Sequence, residues 1–488
     1  MSAISSPSQT ISTGGAQAVS PAGSLEIDAS CRGPVLFLFL SALGWLLIGS
    51  LLGLIASLKF HAPNLLAECS ALTYGRVHPA HLNALIYGFA AQAGLGVLLW
   101  ITAHLSRVRL AMTPAILTGT ILWNCAVTLG ILGIFYGEST GYEWLEMPRY
   151  ASATLFFGYL LIALGAMVTL HLRTDRQFYI SQWFILGALF WFPWIYSTAS
   201  LTLVAHPARG VLQTAIDSWY INNLSTIWFG FIGIATIFYF VPKISQRPLH
   251  SHYLGVFTFF ALALFGSWGN IPAATPLPSW MPALSTMGAL MTIAPILGVG
   301  MNVFGTICGD KSALRENRRF KFFIFATSIY IVTGLANAVT SLASVSRITN
   351  FTWFTPGITM LFLYGFFAMT MFGAMFYIVP RLVQAEFSKP GMICGQFAIA
   401  GLGVIIYSVL LAIGGVVQGF ALNDSTKAFP DVTQSTLLFL RGSTLGELLM
   451  ILANLMILLS VVSLLVSVGR KVATTAFATS VKNVEVIW

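Results

Sequence analysis

Two histidines three residues apart, His78 and His81, stand at the start of an apolar stretch that runs to about residue 105. Residues i and i+3 of a helix share a face, so both imidazoles would project from the same side. A neutral imidazole at the end of a membrane helix can bind a haem iron or another metal. It can equally hydrogen-bond a neighbouring helix, and Pro79 at the helix start suits both interpretations. A metal site would require a second ligand elsewhere in the chain.

The overall composition places these histidines in a membrane protein. Of 488 residues, 57% are hydrophobic and 8% are charged, and the mean hydropathy is +0.83. This leaves too little polar surface for a water-soluble protein. We interpret the net charge of +9 as a sign of membrane topology and expect no nucleic-acid partner. The five cysteines have no Cys-x-x-Cys spacing, which excludes c-type haem attachment, an iron–sulfur cluster and a disulfide scaffold.

Twelve apolar segments of about 20 residues or more follow one another, each long enough to cross about 30 Å of hydrocarbon. They lie at 34–58, 79–105, 112–135, 150–172, 178–204, 218–241, 253–270, 282–307, 320–343, 353–379, 391–416 and 440–468. Continuous apolar runs predict helices and exclude the alternating pattern of a membrane β-barrel. We predict a disordered cytoplasmic tail over residues 1–32, a membrane domain over 33–470 and a cytoplasmic tail over 471–488.

The distribution of basic residues orients the twelve spans. With both termini on one side, the segments on that side carry 17 of the 24 Lys and Arg residues, and the other side carries 7. The positive-inside rule makes that side cytoplasmic, as in a multi-pass protein of the inner membrane. His78 and His81 then lie at the external end of the second span. Glu447 lies inside the last span, where an ionisable residue is a candidate for proton transfer.

Several sequence blocks resemble those of a known family. They are Gly75-Arg76, His81-x-Asn83-Ala84-x-Ile86, Trp219-Tyr220 with Asn223, Tyr239-Phe-Val-Pro-Lys243, Arg247-Pro248, Leu277-Pro-x-Trp280, Tyr377-Ile-Val-Pro-Arg-Leu382 and Arg441-Gly442. In this order the chain resembles subunit I of the haem–copper oxidases, specifically the cbb3-type cytochrome c oxidase branch. The resemblance implies an all-α fold of twelve transmembrane helices. It also implies aerobic respiration and electron transport within a respiratory membrane complex, whose other subunits and the lipid bilayer are the partners.

The resemblance further implies a set of haem and copper ligands, and this sequence departs from it. The family's second-span haem ligand falls on His81. The copper histidine of the sixth span falls on Asn222, the following His-His pair falls within residues 269–276, which contain no histidine, and the seventh-span tyrosine falls on Gly266. Asparagine, proline and alanine cannot replace imidazole at such sites. We therefore predict no copper and no oxygen-reducing haem–copper centre.

Two further positions decide whether any haem is retained. The family's tenth-span haem ligands fall on Ile358 and Met360, and Met360 takes the low-spin position opposite His81. His/Met ligation holds a haem at raised potential, although methionine is also a common filler of apolar cores. Arg441 falls where the family places an arginine near the haem propionates. An arginine at a helix end can equally serve as an anchor.

The sequence leaves two main hypotheses. The first is a redox subunit that binds at most one low-spin haem b through His81 and Met360. The second is a haem-free structural or assembly subunit of a respiratory complex. A secondary transporter is a third interpretation, and the oxidase blocks argue against it. Because the ligands of the family's haem–copper centre are missing from this sequence, whether the chain is an enzyme stays open.

Overall fold

The computed structural model describes residues 21–175, 177–272, 275–308 and 317–485. Regular secondary structure within these ranges is entirely helical, because backbone groups in lipid must be hydrogen-bonded internally. Residues 1–20 of the predicted N-terminal tail and residues 486–488 of the predicted C-terminal tail lie outside the described residues.

Each predicted span corresponds to a helix. The helices are α1 (Pro21–Leu58), α2 (Tyr74–Ser106), α3 (Thr113–Tyr136), α4 (Arg149–His171), α5 (Ile180–Ala205), α6 (Leu212–Ser245), α7 (His252–Trp268), α8 (Trp280–Ile307), α9 (Phe320–Thr340), α10 (Phe354–Val383), α11 (Pro390–Leu422) and α12 (Phe429–Lys471). Among the described residues, eleven of these are long and apolar enough to cross a membrane, and α7 is shorter. The prediction of an all-helical membrane fold is confirmed.

The predicted end of the N-terminal tail is wrong. Helix α1 already includes residues 21–32, which we predicted to be disordered. This segment is tied to α2, where Trp100 Nε1 donates a hydrogen bond to Asp28 Oδ1 at 2.8 Å. The polar composition of residues 21–32 suggested disorder. The contact with Trp100 could not be foreseen, because the two residues are far apart in the sequence. At the other end, Phe429–Lys471 is the membrane-spanning part of a helix that runs from Phe429 to Glu485 and includes most of the predicted C-terminal tail.

Helices α2, α6 and α10 form the centre of the fold. In their most apolar windows 94%, 83% and 100% of the residues are buried, against 39–50% in the other long helices. The outer helices pack closely through small residues. A Cβ atom added to Gly446 of α12 would lie 2.6 Å from the carbonyl oxygen of Gly403 in α11. Such contacts between backbones are typical of membrane helices, and they leave the three central helices shielded from lipid.

Candidate functional site

Each central helix changes from α-helical to π-helical geometry just after a residue that the family resemblance marks as a ligand position. The π segments are Ala84–Ala90 behind His81, Asn223–Phe229 behind Asn222 and Leu361–Ala368 behind Met360. A π segment disrupts the regular register of side chains, and such segments often occur at functional sites. A fourth π segment, Ser200–Ala205 in α5, follows no such position. In the three central helices, however, the π segments and the sequence blocks coincide.

His81 is held by a single hydrogen bond to the first helix. Its side chain is buried, and Nδ1 lies 2.7 Å from the carbonyl oxygen of Gly49. Because a carbonyl only accepts, Nδ1 carries the proton and Nε2 keeps its lone pair. Histidine ligands of metals are commonly oriented by such a bond from the second nitrogen. The ring thus bonds a neighbouring helix and still presents a nitrogen that fits an axial haem ligand.

Gly53 of α1 brings His81 and Glu447 together. A Cβ atom at Gly53 would lie less than 3.0 Å from both Glu447 Oε1 and the His81 ring. The absence of a side chain therefore lets the imidazole of α2 and the carboxyl group of α12 approach the same point on α1. The sequence alone named both residues but offered no reason to place them side by side.

A row of hydrogen-bonding groups leads from Glu447 toward the predicted outer surface. Glu447 is buried, and its carboxyl group lies beside the Ser57 hydroxyl. The Ser57 hydroxyl lies 2.7 Å from Thr444 Oγ1, which lies 3.0 Å from Nε2 of the exposed His61. Each of these groups can donate or accept, so the row can pass a proton in either direction. Glu447 thus gains the partners that its position in the sequence did not reveal.

His78 lies in a row of aromatic rings at the same end of the fold. Its ring stacks on Tyr74 at a centroid distance of 5.3 Å and an interplanar angle of 7°. Tyr74 contacts Phe60 at 5.7 Å, and Phe60 contacts Trp353 at 5.5 Å. The row joins α2, the residues after α1 and the start of α10. His78 therefore has a packing role, and its neighbour His81 is the better ligand candidate.

Met360 and Arg441 belong to helices other than that of His81, and no hydrogen bond or ring contact among the described residues joins either of them to His81. Met360 is buried in α10, and the outer part of that helix packs on α11, whereas the outer part of α2 packs on α1. Arg441 is exposed, and its Nε donates to the carbonyl oxygen of Phe60 at 3.0 Å. One donor nitrogen of the guanidinium is thus occupied by the backbone that supports the aromatic row.

Asn222, where the family's copper histidine falls, takes part in hydrogen bonds that join α6 to α7. Asn222 Nδ2 donates to the carbonyl oxygen of Gly266 at 2.7 Å, and Asn223 Nδ2 donates to that of Ser267 at 3.0 Å. The residues aligned with the copper histidine and with the seventh-span tyrosine are therefore in contact with each other. In the described part of the chain, no three His, Cys, Asp or Glu side chains gather in a way that could hold a metal ion.

Glu146, between α3 and α4, is a buried carboxyl group that the sequence analysis did not select. Its Oε2 accepts a hydrogen bond from Asn83 Nδ2 at 2.7 Å, and its side chain is buried. Asn83 follows His81 in the same sequence block. Burial raises the pKa of Glu146 from 4.5 to about 7, against the lowering effect of the Asn83 hydrogen bond. This carboxyl group therefore titrates near neutral pH.

The E146Q variant is expected to change how stability depends on pH. A raised carboxyl pKa means that the folded state binds more protons than the unfolded state between pH 4.5 and about 7. The protonated carboxyl group therefore contributes to the free energy of unfolding in full below pH 4.5. This contribution is lost as the pH rises through about 7, and the loss is at most about 3 kcal/mol. Glutamine keeps the Asn83 bond without titrating. Between pH 5 and pH 8, the unfolding temperature of E146Q should fall less than that of the wild type.

Glu68 supplies the control for this measurement. It is an exposed carboxyl residue on the same predicted side of the membrane, so E68Q should retain the wild-type pH dependence. Equal pH dependence in the wild type and E146Q would show that Glu146 does not titrate differently in the folded protein.

Comparison with known proteins places the chain among oxidase subunits. Residues 33–479 match the family described as Cytochrome C and Quinol oxidase polypeptide I. A cytochrome c oxidase subunit 1 homolog (bacteroid) of Bradyrhizobium diazoefficiens is 24% identical over 404 residues, 79% of this chain and 72% of that protein. The cbb3-type cytochrome c oxidase subunit CcoN1 of Stutzerimonas stutzeri is 24% identical over 399 residues, 78% of this chain and 83% of that protein.

A solved structure shares the fold. The chain superimposes on one chain of the structure of a heme-copper terminal oxidase dimer with a TM-score of 0.68, covering 91% of this chain and 84% of that one at 14% sequence identity. At that identity the likeness concerns the arrangement of helices and not the chemistry of any site.

Proposed function

We propose a function for this chain on the basis of its family: it belongs to the cytochrome c and quinol oxidase polypeptide I family, which it matches over residues 33–479. The resemblance to haem–copper oxidase subunit I, including its cbb3-type branch, is confirmed. The chain is a multi-pass membrane protein of this family. We propose that it is a subunit I-like component of a respiratory electron-transfer complex in the inner membrane, with both termini cytoplasmic, and that it binds at most one low-spin haem b.

The hydrogen bond from His81 Nδ1 to Gly49 carries this proposal. It leaves Nε2 deprotonated, buried and oriented, as an iron ligand must be. Met360 would supply the second ligand from α10, and Arg441 would face the haem carboxylates with the donors that Phe60 does not use. When bound, a haem with His/Met ligation supplies one-electron transfer at a raised potential.

Glu447 is proposed to hold a proton beside His81. Its carboxyl group lies at the same point of α1 as the imidazole, and Ser57, Thr444 and His61 lead outward from it. A proton on Glu447 would offset a change of charge near His81, and the row of hydroxyl and imidazole groups would exchange that proton with the outer face. This role follows from the contacts of the described residues and not from the span position alone.

We further propose that the chain lacks the oxygen-reducing centre of the family and binds no copper. Asn222 uses its amide to bond the backbone of Gly266, and neither residue offers the imidazole or phenol of the family's pattern. The purified subunit is therefore expected to consume no oxygen when reduced cytochrome c or a quinol is supplied. A ligand-complete cbb3-type oxidase in the same detergent serves as the positive control. Oxygen uptake by this subunit alone, above the rate without protein, would contradict the proposal.

A haem-free structural or assembly subunit is the alternative. The amide hydrogen bonds between α6 and α7 and the close glycine packing of α11 and α12 are contacts that stabilise the scaffold without any cofactor. A reduced-minus-oxidised absorption spectrum of the purified protein separates the two functions. We expect a haem b band. A spectrum without one, from protein expressed with an adequate haem supply, would favour the alternative.

A further inference from the structure

A cavity of about 370 Å³ opens at the opposite end of the fold from His81, on the predicted cytoplasmic side. Its lining includes His104 and Arg107 from the end of α2, Lys243 from α6 and Arg381 from α10. All four are basic residue types. None of them has a part in the proposed redox function, although two belong to sequence blocks that mark the family.

Lys243 and Arg381 occur in the same short sequence pattern. The sequence Tyr-x-Val-Pro followed by a basic residue occurs at the end of α6 and again at the end of α10. Residues four apart share a helix face, so each cation lies over its own tyrosine. Lys243 Nζ is 4.8 Å from the Tyr239 ring centroid and donates to its hydroxyl at 2.6 Å, and Arg381 Cζ is 4.5 Å from the Tyr377 ring centroid.

Trp100 of α2 lies between the two arrangements. Its ring centroid is 5.8 Å from that of Tyr239 and 6.1 Å from that of Tyr377. The indole Nε1 donates to Asp28, and the same Asp28 oxygen lies 2.9 Å from His104 Nε2. Asp28 is thus buried and already hydrogen-bonded by Trp100 and His104.

The cavity therefore has unmatched positive charge. Arg107 pairs with Asp175 at 3.4 Å. Within the described residues, neither Lys243 nor Arg381 lies within ion-pair distance of a carboxylate. An ammonium group has three N–H donors and a guanidinium has five, and the contact with Tyr239 uses one donor of Lys243. Both cations keep donors that can bind an anion in the cavity.

We propose that this cavity binds a phosphate group through Lys243 and Arg381. A guanidinium fork matches two phosphate oxygens, and an ammonium acts as a compact point charge toward the same group. The volume is about ten times the share of one water molecule in the liquid, enough for a phosphate with its substituents. At the predicted cytoplasmic surface the group could belong to an anionic lipid or to a soluble phosphate compound.

The competing explanation is that these residues only anchor helix ends in the headgroup layer, as basic residues on the cytoplasmic side commonly do. Anchoring would give a diffuse, salt-sensitive preference for anionic surfaces. A built site would instead saturate at one ligand and depend on two particular side chains.

The test uses the purified full chain in a neutral maltoside detergent and needs no haem. Inorganic phosphate is titrated against chloride at equal ionic strength, and short-chain phosphatidylglycerol against the matching diacylglycerol. Thermal unfolding and native mass spectrometry follow binding. We expect saturable binding of one phosphatidylglycerol, of inorganic phosphate, or of both. Binding of phosphatidylglycerol alone identifies a lipid as the source of the phosphate group, and binding of inorganic phosphate shows that the site also accepts a soluble compound.

The double variant with Lys243→Gln and Arg381→Gln is expected to weaken that binding about tenfold or more. Lys389→Gln is the control, because Lys389 is exposed on the same predicted side and does not line the cavity. If the double variant does not fold, the single Arg381→Gln variant, at an exposed position, carries the comparison. No saturable binding to the wild type, or equal affinity in the wild type and the cavity variants, would overturn the proposal.

Discussion

Replacing His81 by alanine is expected to abolish the reduced-minus-oxidised haem b signal of the purified protein. His81 is the one histidine that the family resemblance marks as a haem ligand. Its Nδ1 donates to the carbonyl oxygen of Gly49, so Nε2 keeps its lone pair. Alanine removes that ligand, and Met360 alone is a weak one because a thioether is neutral and only weakly basic. Absorption spectroscopy and a haem-to-protein ratio measure the loss directly.

His78→Ala is the matched control for this experiment. His78 lies one helical turn away and stacks on Tyr74, so its removal changes the aromatic row without removing the proposed ligand. The His78→Ala variant should keep its haem b band. If His81→Ala also kept a full band, the ligand assignment would be wrong even though the chain binds haem.

The Gly53→Ala variant is expected to disturb the same site without changing any of its functional side chains. The added methyl group would come within 3.0 Å of both Glu447 Oε1 and the His81 ring, so both groups, or the backbone of α1, must shift. Overpacking of this kind costs about 1–3 kcal/mol. We expect a lower unfolding temperature, and a haem b band that is weakened or shifted because His81 can no longer keep its bond to Gly49.

Gly44→Ala in the same helix separates this effect from the general effect of removing a helical glycine. A Cβ atom at Gly44 meets nothing within 4 Å, and alanine in a helix is favoured over glycine by up to about 1 kcal/mol. Gly44→Ala should therefore be neutral or slightly stabilising and should keep the wild-type spectrum. A Gly53→Ala variant that behaved like Gly44→Ala would show that the contact of Gly53 with His81 and Glu447 is not close enough to exclude a methyl group.

Much of the fold could be predicted from local sequence because the bilayer imposes a length on every apolar segment. The third span, predicted at 112–135, is the helix Thr113–Tyr136, and the eleventh, predicted at 391–416, is Pro390–Leu422. The N-terminal boundary failed at residues 21–32, where a polar composition is compatible with helix once Trp100 bonds Asp28.

The candidate site was predictable only residue by residue. The sequence singled out His81, Met360, Arg441 and Glu447 as separate positions. Glu146 was missed because a single glutamate in a loop carries no signal of burial. The Asn83 amide in a family block needs an acceptor, but no rule of sequence spacing links it to Glu146, which lies 63 residues away.

The sequence by itself determined that the chain is an all-helical membrane protein and which family it belongs to, since these follow from apolar runs and from short blocks in a fixed order. The tertiary structure alone decided which groups meet. It placed His81 and Glu447 at Gly53, Asn222 against Gly266, and Lys243 beside Arg381 around one cavity. The physical reason is that helix packing brings together side chains from distant parts of the chain. Small residues and π segments decide which helix faces meet, and their effect cannot be predicted from a short stretch of sequence.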